Sequence, residues 1–191
     1  MARSKSEDKR NAILSAATEV FAERGLSAAT SAISNAAGVA EGTLFTYFKT
    51  KDELVNALYR AIKLELADAM MSDFPRRASI RNRLQHVWNR YLAWGVENPQ
   101  QQRALQQITV WGGLTEESKR AGIAPFLEIE TMARAAVEQH VFLDRPLDFI
   151  AATVNALADA TMEFMRRDPK QAEMHRRNGF EILWAGITRK K

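Results

Sequence analysis

The sequence predicts an all-α protein of about nine helices, and three observations support this prediction. Apolar residues recur at the helical spacing of three or four along nearly every segment of the 191 residues. Several segments open with helix-start signals, such as Asn98-Pro99 and Asp168-Pro169, in which a proline follows a capping residue. No stretch shows the strict alternation of apolar and polar residues that is typical of a β-strand.

The composition excludes several kinds of site. The chain has no cysteine, which excludes disulfides, thiolate metal ligands and cysteine nucleophiles and fits a reducing compartment. The N-terminus is charged and lacks an apolar signal core. The most apolar late stretch, residues 149–165, is interrupted by Asn155, Asp159 and Glu163. These features predict a soluble, cytoplasmic protein without a membrane-spanning segment.

Net charge is only weak evidence for a nucleic-acid partner. The chain carries 27 Lys and Arg against 23 Asp and Glu, which gives a net charge of +4. Basic residues are locally denser near the two ends, at Arg3, Lys5, Lys9, Arg10, Arg189, Lys190 and Lys191.

The first predicted helix has recognisable signals at both ends. Ser4 and Glu7 have the spacing of a capping box at its start, and Gly25 supplies a stop at its end. Its apolar stripe consists of Ile13, Leu14, Ala17, Val20 and Phe21.

Two short helices and a tight turn follow, and together they predict a helix-turn-helix. The first short helix opens near Thr30, a candidate cap, and ends at Gly38; the second covers 41–48. The turn needs a residue that tolerates a positive φ, which Gly38 provides. The pair can be buried against the first helix through Ile33, Ala37, Val39, Leu44 and Phe48.

The long fourth helix begins at a second capping box, formed by Thr50 and Glu53. A connector around Pro75 ends it. Further helices are predicted across 84–92, after Pro99, after the cap Thr115, after Pro146 and over about 169–189.

The stretch GVAEGTLFTYFKTKDEL, residues 38–54, follows FAERGLSAATSAISNAAG. Together they resemble the DNA-binding domain of TetR-type (tetracycline-repressor-like) bacterial transcriptional regulators, over about residues 10–60. The rest of the chain is similar to that family in helix count and length. The resemblance implies a helix-turn-helix DNA-binding domain in 1–50 and a helical effector-binding and dimerisation domain in 51–191, with no enzymatic activity and no cofactor or metal.

The resemblance implies that the second short helix reads base edges in the major groove of double-stranded DNA. Thr43, Thr46 and the backbone of Gly42 would approach the bases, and Phe45 would touch a thymine methyl group. Many relatives have a basic residue where Glu41 stands here, so Glu41 would accept a hydrogen bond from a cytosine amine instead.

Other residues are implied to hold the DNA backbone. Tyr47 would donate its hydroxyl to one phosphate, and Lys51, at the start of the fourth helix, would pair with another. Thr30 and Ser31 would lie at the backbone where the first short helix begins. A basic arm would add Arg3, Lys5 and Lys9.

Some of these residues have a second interpretation that stays open. Phe45 can be a packing residue, since aromatic residues at helical spacing usually pack. Thr43 can be a surface residue of a helix, and Lys51 an ordinary solvated charge.

The last two long helices suggest a homodimer, because the first of them is rich in small residues and can be buried on two faces. In the family, two such helices pair with their copies, which suits a near-palindromic operator. The candidate interface residues are Val154, Leu157, Thr161, Phe180 and Trp184. Burial within the chain's own core is the alternative for each of them.

Aromatic residues on the middle helices predict a cavity for a small apolar or amphipathic effector that releases a repressor from its operator. The candidates are Tyr59, Trp88, Tyr91, Trp111 and Phe126. Most of the aromatic residues on these helices are expected to belong to the core. The effector's identity, the operator sequence and the choice between repressor and activator are not determined by the sequence.

Two other classes of protein are alternatives to a DNA-binding regulator. An enzyme is disfavoured because His86, His140 and His175 lack metal-ligand spacing and no nucleophile or phosphate-loop motif is present. A helical adaptor that binds protein instead of DNA differs in one measurable way, since DNA binding depends steeply on salt.

Overall fold

A computed structural model of the protein describes residues 5–189. This part of the chain forms ten α-helices and two short 3-10 turns, and it contains no β-strand apart from one isolated bridge between Phe142 and Thr188. The α-helices are α1 (Lys5–Arg24), α2 (Thr30–Ala36), α3 (Glu41–Tyr47), α4 (Lys51–Met71), α5 (Ile80–Glu97), α6 (Pro99–Thr109), α7 (Glu116–Ile123), α8 (Leu127–Glu138), α9 (Leu147–Arg167) and α10 (Ala172–Ile187). The 3-10 turns are Ala124–Phe126 and Pro169–Gln171.

The chain divides into two compact units. The first contains residues 5–65 and Asn98–Ala124, and the second contains Leu66–Glu97 and residues 125–189. These two units are defined by which residues contact each other. The predicted division at residue 50 instead separates a DNA-binding segment from a segment for effector binding and dimerisation. The functional division therefore stays a prediction.

The first unit is built around α1. Its apolar stripe is buried, with Ile13, Ala17 and Phe21 fully enclosed, and α1 packs against α2 and α6. From α4, Leu54 and Leu58 join the same core, and α6 contributes Ile108. This core supports the two short helices, which are too short to be stable alone.

The second unit is built from α5, α9 and α10. At their crossing, the indole nitrogen of Trp88 donates a hydrogen bond to the carbonyl of Arg176 at 3.0 Å. Gly179 makes this close approach possible, because a Cβ there would lie 2.6 Å from Thr161 Oγ1 and 2.8 Å from Trp88 Cζ2. Met162, Phe180 and Leu183 complete the buried layer.

The prediction of an all-α fold is confirmed, and several local signals act as expected. Gly25 and Gly38 adopt positive φ of 80° and 64°. Thr115 accepts a hydrogen bond from the Ser118 N–H and so caps α7. Pro99 is the first residue of α6.

Three local predictions differ from the structure. Thr30 is not a cap: Ala29 holds the N-cap position of α2, without a side-chain hydrogen bond. The helix predicted after Thr115 is interrupted at Pro125, because proline removes a backbone donor and its ring crowds the preceding turn. This break accounts for the tenth helix.

The last predicted helix is also shorter than expected. Residues after Asp168 first form a 3-10 turn, and α10 ends at Ile187 rather than Arg189. The predicted Ser4 cap, Arg3 of the basic arm, and Lys190 and Lys191 of the basic cluster lie outside the described residues.

Between residues 5 and 189, no helix combines the length and apolar character needed to cross a lipid bilayer.

Candidate DNA-binding surface

The turn between α2 and α3 is fixed by backbone hydrogen bonds. The Val39 N–H donates to the Ser34 carbonyl at 3.0 Å, and the Gly38 N–H donates to the Asn35 carbonyl at 3.1 Å. This pair of bonds, with Gly38 in the left-handed region, is a Schellman motif. The chain therefore leaves α2 in one direction and re-enters a helix at Glu41.

One face of α2 and α3 is buried and holds both helices in place. Ile33 and Leu44 are fully buried, and Phe48, at the end of α3, is 2% exposed. The guanidinium of Arg10 lies over the Phe48 ring, 5.4 Å from its centroid, so α1 covers the end of α3. Burial on this side leaves the opposite face of α3 at the surface.

The opposite face of α3 carries the residues predicted to read bases. Phe45 is 37% exposed, which favours the surface role over the packing role. Thr46 is exposed and donates its hydroxyl to the Gly42 carbonyl at 3.0 Å, so its oxygen lone pairs remain available as acceptors. Glu41 and Gly42 are exposed, and Thr43 and Tyr47 are half-buried.

A hydrogen bond joins the starts of the two short helices. Thr30 Oγ1 donates to Glu41 Oε1 at 2.7 Å, although the residues are eleven positions apart. The sequence resemblance implied separate DNA contacts for these side chains, and the sequence carries no signal that they meet. Ser31, the neighbour of Thr30, is exposed.

Lys51 begins α4 beside this face, and the start of the helix is capped. The Glu53 N–H donates to Thr50 Oγ1 at 3.0 Å, as a capping box predicts. The Glu53 carboxylate accepts a hydrogen bond from the Lys49 N–H at 2.8 Å. In a usual capping box it would accept from the N–H of the capping residue, Thr50. Lys51 itself is half-buried at the positive end of the helix dipole.

A comparison with protein families finds a match for the segment that carries this surface. Residues 13–58, which include most of α1, both short helices and the start of α4, match the family described as bacterial regulatory proteins, tetR family. The match supports a TetR-type regulator. Such a protein is a DNA-binding transcriptional regulator and not an enzyme, as the sequence resemblance implied.

A curated relative of the regulator is the fatty acid metabolism regulator protein of Bacillus subtilis (strain 168). The two are 32% identical over 82 residues, which is 42% of each chain. The regulator thus matches less than half of that relative's length.

Solved structures of the family share the complete fold. A tetR family protein from Shewanella sp. PV-4 superposes with a TM-score of 0.85 at 23% identity, over 95% of the regulator and 99% of that chain. The regulator LfrR from Mycobacterium smegmatis, solved in complex with proflavine, gives a TM-score of 0.68 at 21% identity over 96% and 99%.

A buried polar cluster links α4 to the start of α7 within the first unit. Asn56 is 4% exposed, and its amide nitrogen donates to the carbonyls of Asp52 and Gly113 at 2.9 and 3.1 Å. Its amide oxygen accepts from the Thr115 N–H and hydroxyl at 3.0 and 3.2 Å. The only signal of this cluster in the sequence is an asparagine within the apolar stripe of α4, and it was not among the predicted functional residues.

The predicted effector residues are divided between the two units of the regulator. Tyr59 and Trp111 belong to the first unit, and Trp88, Tyr91 and Phe126 belong to the second. Trp88 is 1% exposed and part of the core. Burial raises the pKa of Tyr59, and the nearby charge of Lys119 lowers it. The effector role of these residues stays a prediction.

None of the five aromatic candidates lines either of two well-formed grooves among the described residues. A groove of about 340 Å³ lies between α1, α4 and α6 in the first unit. A smaller groove of about 190 Å³ lies between α9 and α10 in the second unit and is lined by Leu157, Thr161, Phe164, His175 and Ile182, among others.

The predicted dimer residues fall into two groups. Thr161 and Phe180 are buried within their own unit, so they have little surface left to contribute to an interface. Val154, Leu157 and Trp184 are half-buried. The large apolar side chains that α9 and α10 leave at the surface are Phe149, Phe164 and Ile182, which are 63, 54 and 62% exposed and which the prediction did not include.

The described residues contain no cluster of three or more His, Asp or Glu side chains suited to hold a metal ion. His86 instead packs edge-on against Phe74, and His175 packs against Phe164.

Proposed function

We propose that this regulator is a dimeric repressor that binds a near-palindromic DNA operator and is released from it by a small apolar or amphipathic effector. The observation that carries the operator proposal is the exposed face of α3, where Gly42, Phe45 and Thr46 lie at the surface beside the start of α4. We place the regulator in the cytoplasm, where it reaches the DNA.

Two kinds of DNA contact are proposed for this surface. Thr43, Thr46 and the Gly42 backbone approach base edges, and Phe45 contacts a thymine methyl group. Tyr47, Ser31 and Lys51 hold phosphates, with Lys51 supported by the capped N-terminus of α4. A side chain at position 42 would face open space, so glycine leaves room there for the DNA.

The dimer proposal rests on the surface of α9 and α10. Phe164 and Ile182 are more than half exposed and line one groove together with the exposed small residue Ala160. A second copy of the chain would bury this apolar surface by pairing the same two helices. The two α3 helices of a dimer would then read successive major grooves, about 34–36 Å apart.

The effector proposal draws on the relatives. One relative is a regulator of fatty acid metabolism, and another regulator of the same fold was solved with proflavine bound. Fatty acids and proflavine, an aromatic cation, are amphipathic. Effector binding would shift α4 and with it Lys51. This shift would change how the two helix-turn-helix domains of the dimer fit the operator.

Selection from a random pool of duplex DNA with the purified protein tests the operator proposal. We expect an inverted repeat to be enriched, and we expect Tyr47→Phe and Lys51→Ala to weaken its binding about tenfold, with Lys51→Ala also reducing the salt dependence. Lys170→Ala is the matched control, because it removes one exposed positive charge from the 3-10 turn before α10. If wild-type protein enriches no sequence at low salt, the proposal is wrong.

Operator affinity measured with and without a long-chain fatty acid or proflavine tests the effector proposal. A loss of affinity of at least about fivefold with either compound supports release by an amphipathic molecule. Unchanged affinity while the compound is bound contradicts it.

A further inference from the structure

The hydrogen bond between Thr30 and Glu41 points to a function that differs from the contacts first assigned to these residues. Thr30 is the first residue of α2, and Glu41 is the first residue of α3. Their side chains meet at 2.7 Å, so one hydrogen bond connects the N-terminal ends of the two helices of the helix-turn-helix.

Both helix starts lack the side-chain hydrogen bond that usually stabilises them. Ala29 and Ala40 hold the N-cap positions of α2 and α3, and neither alanine offers a side-chain acceptor. Each helix has only seven residues and depends on tertiary contacts to stay folded. A bond between the two starts compensates for the missing caps, because it restrains both ends at once.

The charge of Glu41 argues against a direct contact with DNA. Glu41 is exposed on the face proposed to meet the operator, where an unengaged carboxylate would repel phosphates. Its Oε1 instead accepts a charge-assisted hydrogen bond from the Thr30 hydroxyl. The same bond uses the only proton of the Thr30 hydroxyl, so that hydroxyl cannot also donate to a phosphate.

We propose that Thr30 and Glu41 form a positioning pair, which sets the orientation of α3 on the operator while neither side chain reads a base. This inference rests on the proposed reading of DNA by α3. The buried face already holds the middle and end of α3 through Leu44 and Phe48, and the pair fixes its N-terminal end. That end carries Gly42 and Thr43, two of the proposed base contacts.

Hydrogen exchange of the DNA-free full-length protein tests the pair directly. Thr30→Val and Glu41→Ala should each speed exchange of the α3 amides about tenfold, and the double variant should exchange no faster than either single variant. Glu41→Gln should behave as wild type, because its amide oxygen still accepts from Thr30. Asn35→Ala, at an exposed position of α2, is the control. Its effect on amide exchange should add to the effect of Thr30→Val or Glu41→Ala.

Binding to the selected operator tests the functional consequence. Thr30→Val and Glu41→Ala should each lower affinity about tenfold, without further loss in the double variant. Glu41→Gln should bind as well as wild type or up to about tenfold tighter, because phosphate repulsion is removed while the bond is kept. All four proteins should select the same bases.

Several outcomes would overturn the inference. A changed base preference at one position of each half-site in Glu41→Gln would make Glu41 a base reader. Additive losses in the double variant, in exchange or in affinity, would show that the two residues act separately. Coupled exchange in a protein that enriches no DNA would instead reject the proposed operator function and leave the pair as a structural restraint only.

Discussion

Asn56 shows how much one polar side chain can contribute when it is buried and fully paired. Replacing it with leucine, which has a similar size, would leave the Asp52 and Gly113 carbonyls and the Thr115 N–H without this partner. We expect Asn56→Leu to lower the free energy of unfolding by about 2–4 kcal/mol. Chemical denaturation measures this change.

The variant Asn56→Asp separates the two halves of the amide. It keeps an oxygen toward Thr115 and loses the donor to Gly113, so its free energy of unfolding should also fall. A change below about 0.5 kcal/mol in Asn56→Leu would contradict the importance of the cluster.

Lys63 provides a pH-dependent contribution to stability. Burial lowers the pKa of Lys63 from 10.5 to about 8, so the folded protein binds fewer protons than the unfolded chain between these values. The free energy of unfolding should therefore rise with pH across this window, by at most about 1.4 kcal/mol per pH unit from this group. Lys63→Met should remove that rise.

Denaturation curves of wild type and Lys63→Met at pH 8, 9 and 10 measure how the free energy of unfolding of each protein changes with pH. The raised pKa of Tyr59 acts in both proteins and cancels in the comparison. Equal slopes for wild type and Lys63→Met would contradict the assignment. Lys170→Met, at an exposed lysine, should keep the wild-type slope.

Local residue signals were predictable where the cause of a conformation lies within a few residues. Gly38 and Thr50 act as predicted, because a positive φ and a cap depend on the nearest backbone groups. The partner of Glu41 was not predictable, because Thr30 reaches it only after two helices and a turn have formed.

At the level of elements, the cap of α4 controls how firmly Lys51 is presented. Thr50→Ala removes the hydrogen bond to the Glu53 N–H and should lower the free energy of unfolding by about 1 kcal/mol. Exchange of the first amides of α4 should become faster, and operator affinity should fall. Hydrogen exchange and operator titration measure these effects.

Thr131→Ala is the matched control for this change. Its hydroxyl donates to the Leu127 carbonyl inside α8 and caps no helix, so its removal should leave α4 unchanged. Equal exchange of α4 in Thr50→Ala and wild type would show that the cap does not restrain Lys51.

Helix boundaries were predicted well where proline or glycine acts at the end of a helix, as at Pro99. They were predicted less well where proline interrupts a periodic pattern. Pro125 lies within a segment whose apolar periodicity continues on both sides, so the pattern alone indicates one helix. The missing N–H of proline breaks that segment into α7, a 3-10 turn and α8.

At the level of the whole molecule, the dimer proposal predicts that the exposed apolar surface of α9 and α10 is needed for assembly. Ile182→Glu and Phe164→Glu should each convert the dimer to a monomer, because a buried charge opposes association. Each should also weaken operator binding at least tenfold, because two linked DNA-binding domains bind more tightly than one. Sedimentation and operator titration measure the two effects.

Leu64→Glu is the matched control, since Leu64 is a similarly exposed apolar residue on α4. It should remain a dimer. A monomeric wild-type protein that binds its operator fully would contradict the dimer proposal.

The sequence by itself determined the all-α fold, the helix-turn-helix and the similarity to the tetR family, because periodicity, caps and the stretch from Gly38 to Leu54 act locally or as a contiguous motif. Only the tertiary structure decided which apolar residues of a helix are core and which are surface. Phe180 and Ile182 lie two positions apart on α10, yet one is 1% and the other 62% exposed. Their difference depends on how α5 and α9 pack against α10, and such contacts between distant segments leave no local signal in the sequence.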